Sequence, residues 1–342
     1  MNARPTELSL LERYDALLLD LDGTLMHGSR PIPHAADAVR RARERSLSIG
    51  FVTNNASRSP EEAVAHLATV DVEARSEEIA SSPQIAVQLL AEHAPAGSRI
   101  LVLGADGLAD AVRGAGFQPV REDAEDVAAV VQGFAPDLGW KQLAEGGYAL
   151  RRGLPWIATN TDATLPTERG IAPGNGSLVH ALVHATGRTP IVAGKPEPAM
   201  FSLAAKSLGA RRPLAVGDRL DTDIEGGNRA GMDTLMVLTG VDDARTALQS
   251  PAVRRPTWIV ADLSSLTAPA PDAVLQNGSA RCGAATARLD GQDLVLSGRV
   301  DSPQALTAAL ALLRETHPDR PLEGEVRTET GAPLLAAPPL AP

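Results

Sequence analysis

The chain has 342 residues, with Lys+Arg 32 against Asp+Glu 42, a net charge of -10, 44% hydrophobic residues and a single cysteine. At about 100–200 residues per domain this length supports two domains and a small third, and the ordinary charge content excludes disordered, collagen-like and coiled-coil chains. An acidic chain without a basic run is a poor partner for nucleic acid, and Cys282 alone can close no intrachain disulfide, which suits a reducing cytoplasm.

The most apolar early stretch, Ala16 to Leu25, is interrupted by Asp20 and Asp22, so it reads as a strand rather than a signal peptide or membrane span. Strands are expected at Ala16–Leu21, Leu47–Thr53, Pro190–Ala193, Pro213–Gly217, Thr234–Leu238 and Trp258–Val260. Helices are expected at Pro33–Arg45, Ser59–Thr69 and Ala199–Leu208. Alternation of this kind predicts a doubly wound parallel α/β sheet of Rossmann-like type. The interval after Thr53 is too long for one crossover. It carries its own alternation: strands Arg99–Leu103, Val127–Gln132 and Trp156–Thr159, and helices Ala109–Ala115, Trp140–Arg152 and Leu178–Ala185. It reads as an inserted α/β domain over residues 82–188, splitting a core of residues 1–81 and 189–266. Residues 267–342 then form a small C-terminal α/β module, with strands near Ala285–Leu289 and Leu294–Gly298. One helix from Ser302 to Thr316 follows, and the Pro/Ala-rich end is expected to be flexible.

Four polar clusters fall where apolar strands run out. Asp20 follows three leucines, where an unpartnered charge is expensive, and Asp22 stands two residues on; a metal ion is the natural partner. Thr53-Asn54-Asn55 ends the second strand in groups that donate to a phosphate without adding charge. Lys195, one of only three lysines, is a compact cation suited to a phosphoryl oxygen. Gly217-Asp218, followed by Asp221 and Asp223, supplies the hard oxygens that Mg²⁺ prefers. Open α/β sheets bind ligands at the carboxyl ends of their strands, where all four clusters are expected.

In order and placement these motifs resemble the haloacid dehalogenase (HAD) superfamily: Asp20-x-Asp22-Gly23-Thr24, then Thr53, Lys195, and Gly217-Asp218 with Asp223. Further stretches resemble its subfamily IIA, the NagD-like or 4-nitrophenylphosphatase group with a large C2-type cap. They are Thr53-Asn54-Asn55-Ala56-Ser57-Arg58, Ala158-Thr159-Asn160-Thr161-Asp162, Pro173-Gly174-Asn175-Gly176, Gly194-Lys195-Pro196 and Gly217 to Ile224. The likeness spans about Tyr14 to Leu266 and departs at Ala135, where an aspartate is expected. It implies that Asp20 attacks phosphorus and that Asp22 serves as acid and base. Mg²⁺ is then held by Asp20, the Asp22 carbonyl and Asp218, with Asp223 orienting the ligands. Thr53, Asn54 and Lys195 bind phosphate, and Asn160 and Asp162 face the substrate or support the cap. The cap combined with an extra C-terminal module is similar to the glycerol 3-phosphate phosphatases of high-GC bacteria, whose tail is likened to a truncated acetyltransferase fold.

The partner implied is a small phosphorylated metabolite, with neither nucleic acid nor membrane. Pyridoxal phosphate, phosphoglycolate, sugar phosphates and nucleotides stay open as substrates, as does association of copies through the cap. A phosphate sensor without turnover is the competing class; the intact pair Asp20 and Asp22 counts against it. Acetyl transfer by the tail is a weaker reading, because the tail has no Gly-rich pyrophosphate loop. His180 and His184 have the spacing of a metal pair but no adjacent glutamate or third ligand, so they read as surface residues. Cys282 reads as an inert, buried or half-buried thiol.

Overall fold

The computed structural model describes residues 8–55, 58–167 and 170–337, so Ala56 and Ser57 of the second motif lie outside the described residues. The chain divides into two compact units: Met1–Val52, Val64–Glu78 and Ala204–Pro342 form the first, Thr53–Ala63 and Ile79–Leu203 the second. A six-stranded sheet runs in the spatial order Trp258–Val260, Asp233–Val237, Pro213–Gly217, Ala16–Leu19, Ser48–Thr53, Ile79–Ser81. Ala16–Leu19 pairs in parallel with both its neighbours. All four of its residues are buried, as a central parallel strand covered on both faces requires. Numbered along the chain, the strands lie in the order 3-2-1-4-5-6, the Rossmann-like arrangement whose switch point falls between the first and fourth strands. Asp20 and Asp218 immediately follow those two strands.

In the second unit a parallel sheet of five strands runs Ile191–Val192, Trp156–Ala158, Val127–Gln132, Arg99–Leu103, Gln118–Val120. Its core gathers Leu101, Leu103, Val130, Leu150 and Trp156. Two expectations about sheet membership fail. The strand near Pro190–Ala193, read as part of the core series, pairs as Ile191–Val192 with Trp156–Ala158. The three-residue strand Ile79–Ser81 at the edge of the six-stranded sheet was missed. Strands this short carry no measurable periodicity, so only pairing reveals their sheet.

Residues after the core strands build a third sheet, ordered Val274–Gln276, Ser279–Cys282, Ala285–Asp290, Asp293–Ser297, Val326–Thr328. The helix Pro303–Thr316 starts where Ser302 Oγ accepts from Ala305 N, with Pro303 at its first position. Its Leu306, Leu310 and Leu313 share one apolar cluster with Met236 and Ile259 of the core sheet. The extension therefore belongs to the first unit's continuous core. Cys282 is buried within that cluster, and burial pushes its thiol up.

Candidate active site

Asp20, Asp218 and Asp223 come together at the switch point of the six-stranded sheet, each offering a carboxylate oxygen, with these atoms within 4.8 Å of one another. Asp218 and Asp223 are almost fully buried and Asp20 is half-buried. Backbone donors fix their orientation: Val241 N donates to Asp218 Oδ2 at 2.8 Å, and Arg219 N to Asp223 Oδ2 at 3.1 Å. Asp20 is set by its own N–H donating to Val216 O at 2.9 Å, across the junction of the two central strands. Three hard oxygen donors around one point suit Mg²⁺ in charge and in ligand type. Among the described residues this is the single group of three or more acidic, histidine or cysteine side chains so arranged. His180 and His184 are exposed and take no part in it.

Asp22 lies outside the trio. Its exposed carboxylate accepts from Gly28 N at 3.4 Å, in the loop that opens just past the strand Ala16–Leu19. At that length and exposure the contact is a weak one. Gly23 follows with φ +82°, a conformation that favours glycine, and its missing side chain is equally required because a Cβ there would overlap the Asp218 carboxylate. Beside the trio, Arg219 pairs with Asp221, and that hydrogen bond holds its guanidinium above the usual range. Asp242 is raised, mainly by burial, although the Leu220 N–H opposes the shift.

Within the second unit, Thr53 and Lys195 are both buried. Asn54 joins the segments that carry them. Its Oδ1 accepts from Lys195 N at 2.8 Å, and its Nδ2 donates to Lys195 O at 3.1 Å. The amide thus reads both backbone groups of the lysine, as a paired strand would. Ser82 Oγ and Asn160 Nδ2 both donate to Asn54 O, at 3.1 and 3.4 Å, and Asn175 Nδ2 donates to Asn160 O at 2.7 Å. Asp162 Oδ1 receives the Asn54 amide at 3.4 Å. Asn160 and Asp162 therefore brace the lysine loop. This scaffolding role of the Asn54 side chain was missed, because a Thr-Asn-Asn triplet does not name partners more than a hundred residues away. Ala135, the departure from the family pattern, is buried.

A doubly wound sheet with a carboxylate trio at its switch point is a protein scaffold suited to metal-assisted chemistry. The description "Haloacid dehalogenase-like hydrolase" matches residues 17–118, and a second HAD-hydrolase-like description matches residues 192–266. The D-glycerol 3-phosphate phosphatase of Mycobacterium tuberculosis is 49% identical over 258 residues, which is 75% of this chain and 72% of that protein. The 5'-nucleotidase YutF of Bacillus subtilis is 37% identical over 233 residues, 68% of this chain and 90% of that protein. Among solved structures, glycerol phosphate phosphatase from M. tuberculosis in complex with magnesium superimposes with a TM-score of 0.81 at 42% identity. That match covers 94% of this chain and 95% of the other. The chain belongs to the haloacid dehalogenase-like hydrolase family, and it is a phosphatase of the NagD-like branch.

Proposed function

We propose that the chain hydrolyses glycerol 3-phosphate to glycerol and phosphate, with Mg²⁺, in the cytoplasm. The observation that carries the substrate is the reach of the likeness. The structural match to glycerol phosphate phosphatase covers 94% of this chain, too much to omit the C-terminal extension. Loops of an inserted cap retune specificity on a shared core, so a relative that matches beyond the core is the better guide to substrate.

In this reading an Asp20 carboxylate oxygen attacks phosphorus in line and the bond to the glycerol oxygen breaks, leaving an aspartyl-phosphate. Asp22 gives its proton to the departing alkoxide. It then takes a proton from the water that attacks the same phosphorus, which frees phosphate and restores the Asp20 carboxylate. Asp20, Asp218 and the Asp22 carbonyl would hold the metal, with Asp223, engaged by Arg219 N, orienting them. When bound, Mg²⁺ supplies positive charge against the charge carried by the phosphoryl oxygens. Thr53, Asn54 N–H and Lys195 bind those oxygens. Residues 82–188 act as the cap that selects the leaving group and excludes water.

The test is a comparison of kcat/KM over glycerol 3-phosphate, pyridoxal phosphate, phosphoglycolate, sugar phosphates and nucleoside monophosphates, with Mg²⁺ and with EDTA. Glycerol 3-phosphate is expected to lead and EDTA to abolish turnover. A nucleoside monophosphate in first place would transfer the assignment to the nucleotidase reading.

A further inference from the structure

The loop that follows the strand Asp233–Val237 touches the carboxylate site at four points, and none of its residues carries a motif. That strand pairs with both Pro213–Gly217 and Trp258–Val260, and Leu238 N donates to Val260 O at 3.1 Å. The backbone is thereby fixed up to the edge of the site. Beyond it, buried Thr239 donates its hydroxyl to Gly23 O at 2.6 Å, in the loop that carries Asp22. Val241 N donates to Asp218 Oδ2 at 2.8 Å, and Asp242 N to Asp218 O at 3.3 Å. The Asp242 carboxylate accepts from Leu220 N at 2.7 Å, at the start of the helical turn that bears Asp223. Between them, Gly240 lies so close that a Cβ would overlap the Asp218 carboxylate.

We infer that Thr239–Asp242 is a latch that positions the metal centre: Gly240 and Val241 set the Asp218 carboxylate for its ligand, and Thr239 ties the Asp22 loop to the same anchor. The inference rests on the trio being a Mg²⁺ site. Asp218 is held through its side chain and its backbone carbonyl by one four-residue loop, so its rotamer follows that loop's position. Groups that orient a metal ligand without touching the metal typically change affinity by about 10–100-fold when removed. Thr239 acts elsewhere. It fixes Gly23 beside the proton-transfer residue, where small displacements are costly to rate.

The experiment is calorimetric titration of EDTA-stripped protein with Mg²⁺ alone, alongside steady-state kinetics at saturating Mg²⁺. Gly240→Ala is expected to weaken Mg²⁺ binding by about tenfold or more while circular dichroism stays unchanged. Thr239→Val should bind Mg²⁺ within about twofold of the parent but lose about tenfold or more in kcat, and Thr239→Ser, which keeps the hydroxyl, should restore kcat. Parental Mg²⁺ affinity in a folded Gly240→Ala protein would overturn the latch while leaving the metal site standing. Failure of the unaltered protein to bind Mg²⁺ would overturn both. Should Gly240→Ala not fold, the Thr239 pair decides: equal kcat in the Val and Ser variants refutes the tie to the Asp22 loop.

Discussion

Two places in the first unit concentrate buried charge, and they are built in opposite ways. At the switch point three carboxylates stand within 4.8 Å of one another, an arrangement of like charges completed by a cation from outside the chain. Under the C-terminal extension, Arg255 is 5% exposed, and its two terminal nitrogens are taken up by the chain itself, although its Nε has no hydrogen-bond partner among the described residues. Its guanidinium donates to the carbonyls of Leu313, His317, Ser250 and Arg320, at 3.3, 2.8, 2.9 and 2.8 Å. Two of these carbonyls close the helix Pro303–Thr316, where a positive charge is favoured by the helix dipole. Burial, with Arg314 nearby, lowers the Arg255 affinity for its proton, yet a guanidinium stays charged in either case. The carboxylate cluster thus leaves charge for a ligand to balance, whereas the buried arginine is solvated by carbonyl dipoles of its own chain.

The sharpest break of that comparison is Asp20→Asn. The amide keeps the shape and loses the nucleophile, so kcat should fall by about 10⁴-fold or more with the fold intact by circular dichroism. Turnover near the parental rate would remove Asp20 from the chemistry.

Arg255→Met should act on stability alone. It strips the donors from four carbonyls, two of which end a buried helix, at a cost of about 3 kcal/mol. Urea titration measures the loss, and kcat per folded molecule should be unchanged. Parental stability would mean that water serves those carbonyls equally well.

Asp218→Asn should show the opposite sign. Removing one of three crowded negative charges should leave the melting temperature in EDTA equal to or above the parent's. The parent, at Mg²⁺ about 100 times its Kd, should gain about 2.7 kcal/mol, and the variant much less. A melting temperature in EDTA that drops as far as in Arg255→Met would show that the trio is a structural cluster after all.

The smallest effect concerns His317, whose backbone carbonyl Arg255 engages. Burial, then Arg320 and Arg255, lower it from 6.5, so the fold favours the neutral ring. The unfolded chain binds the extra proton, and stability is lost as pH falls below 6.5 until the folded form is protonated too. Unfolding free energies at about pH 7.5 and about pH 5.5 should therefore differ less in His317→Gln than in the parent. An identical pH dependence in both proteins would place the titrating group elsewhere.

Much of the carboxylate site was legible because each part announces itself locally. Asp20 stands out against the three leucines before it, and Asp218 follows Leu214–Gly217 in the same way. Arg255 gives no such signal. It sits in Arg254-Arg255-Pro256 like a surface pair, and only the arrival of the helix Pro303–Thr316 buries it. Gly240 is equally silent, since Thr-Gly after a strand reads as an ordinary turn. The requirement for glycine there arises from Asp218, which follows a different strand.

From the sequence alone came the alternation of strands and helices, the parallel α/β class and the residue types that meet at the switch point. Burial periodicity and the cost of a charge after an apolar run are properties of a few neighbouring residues. The tertiary structure alone decided that Ile191–Val192 joins the second sheet and that Asn54 grips Lys195. It also decided that the extension packs into the core through Leu306 and Leu310. Each of these depends on strand order and side-chain contact between segments distant along the chain, and the energy of such a contact exists only once both segments are in place.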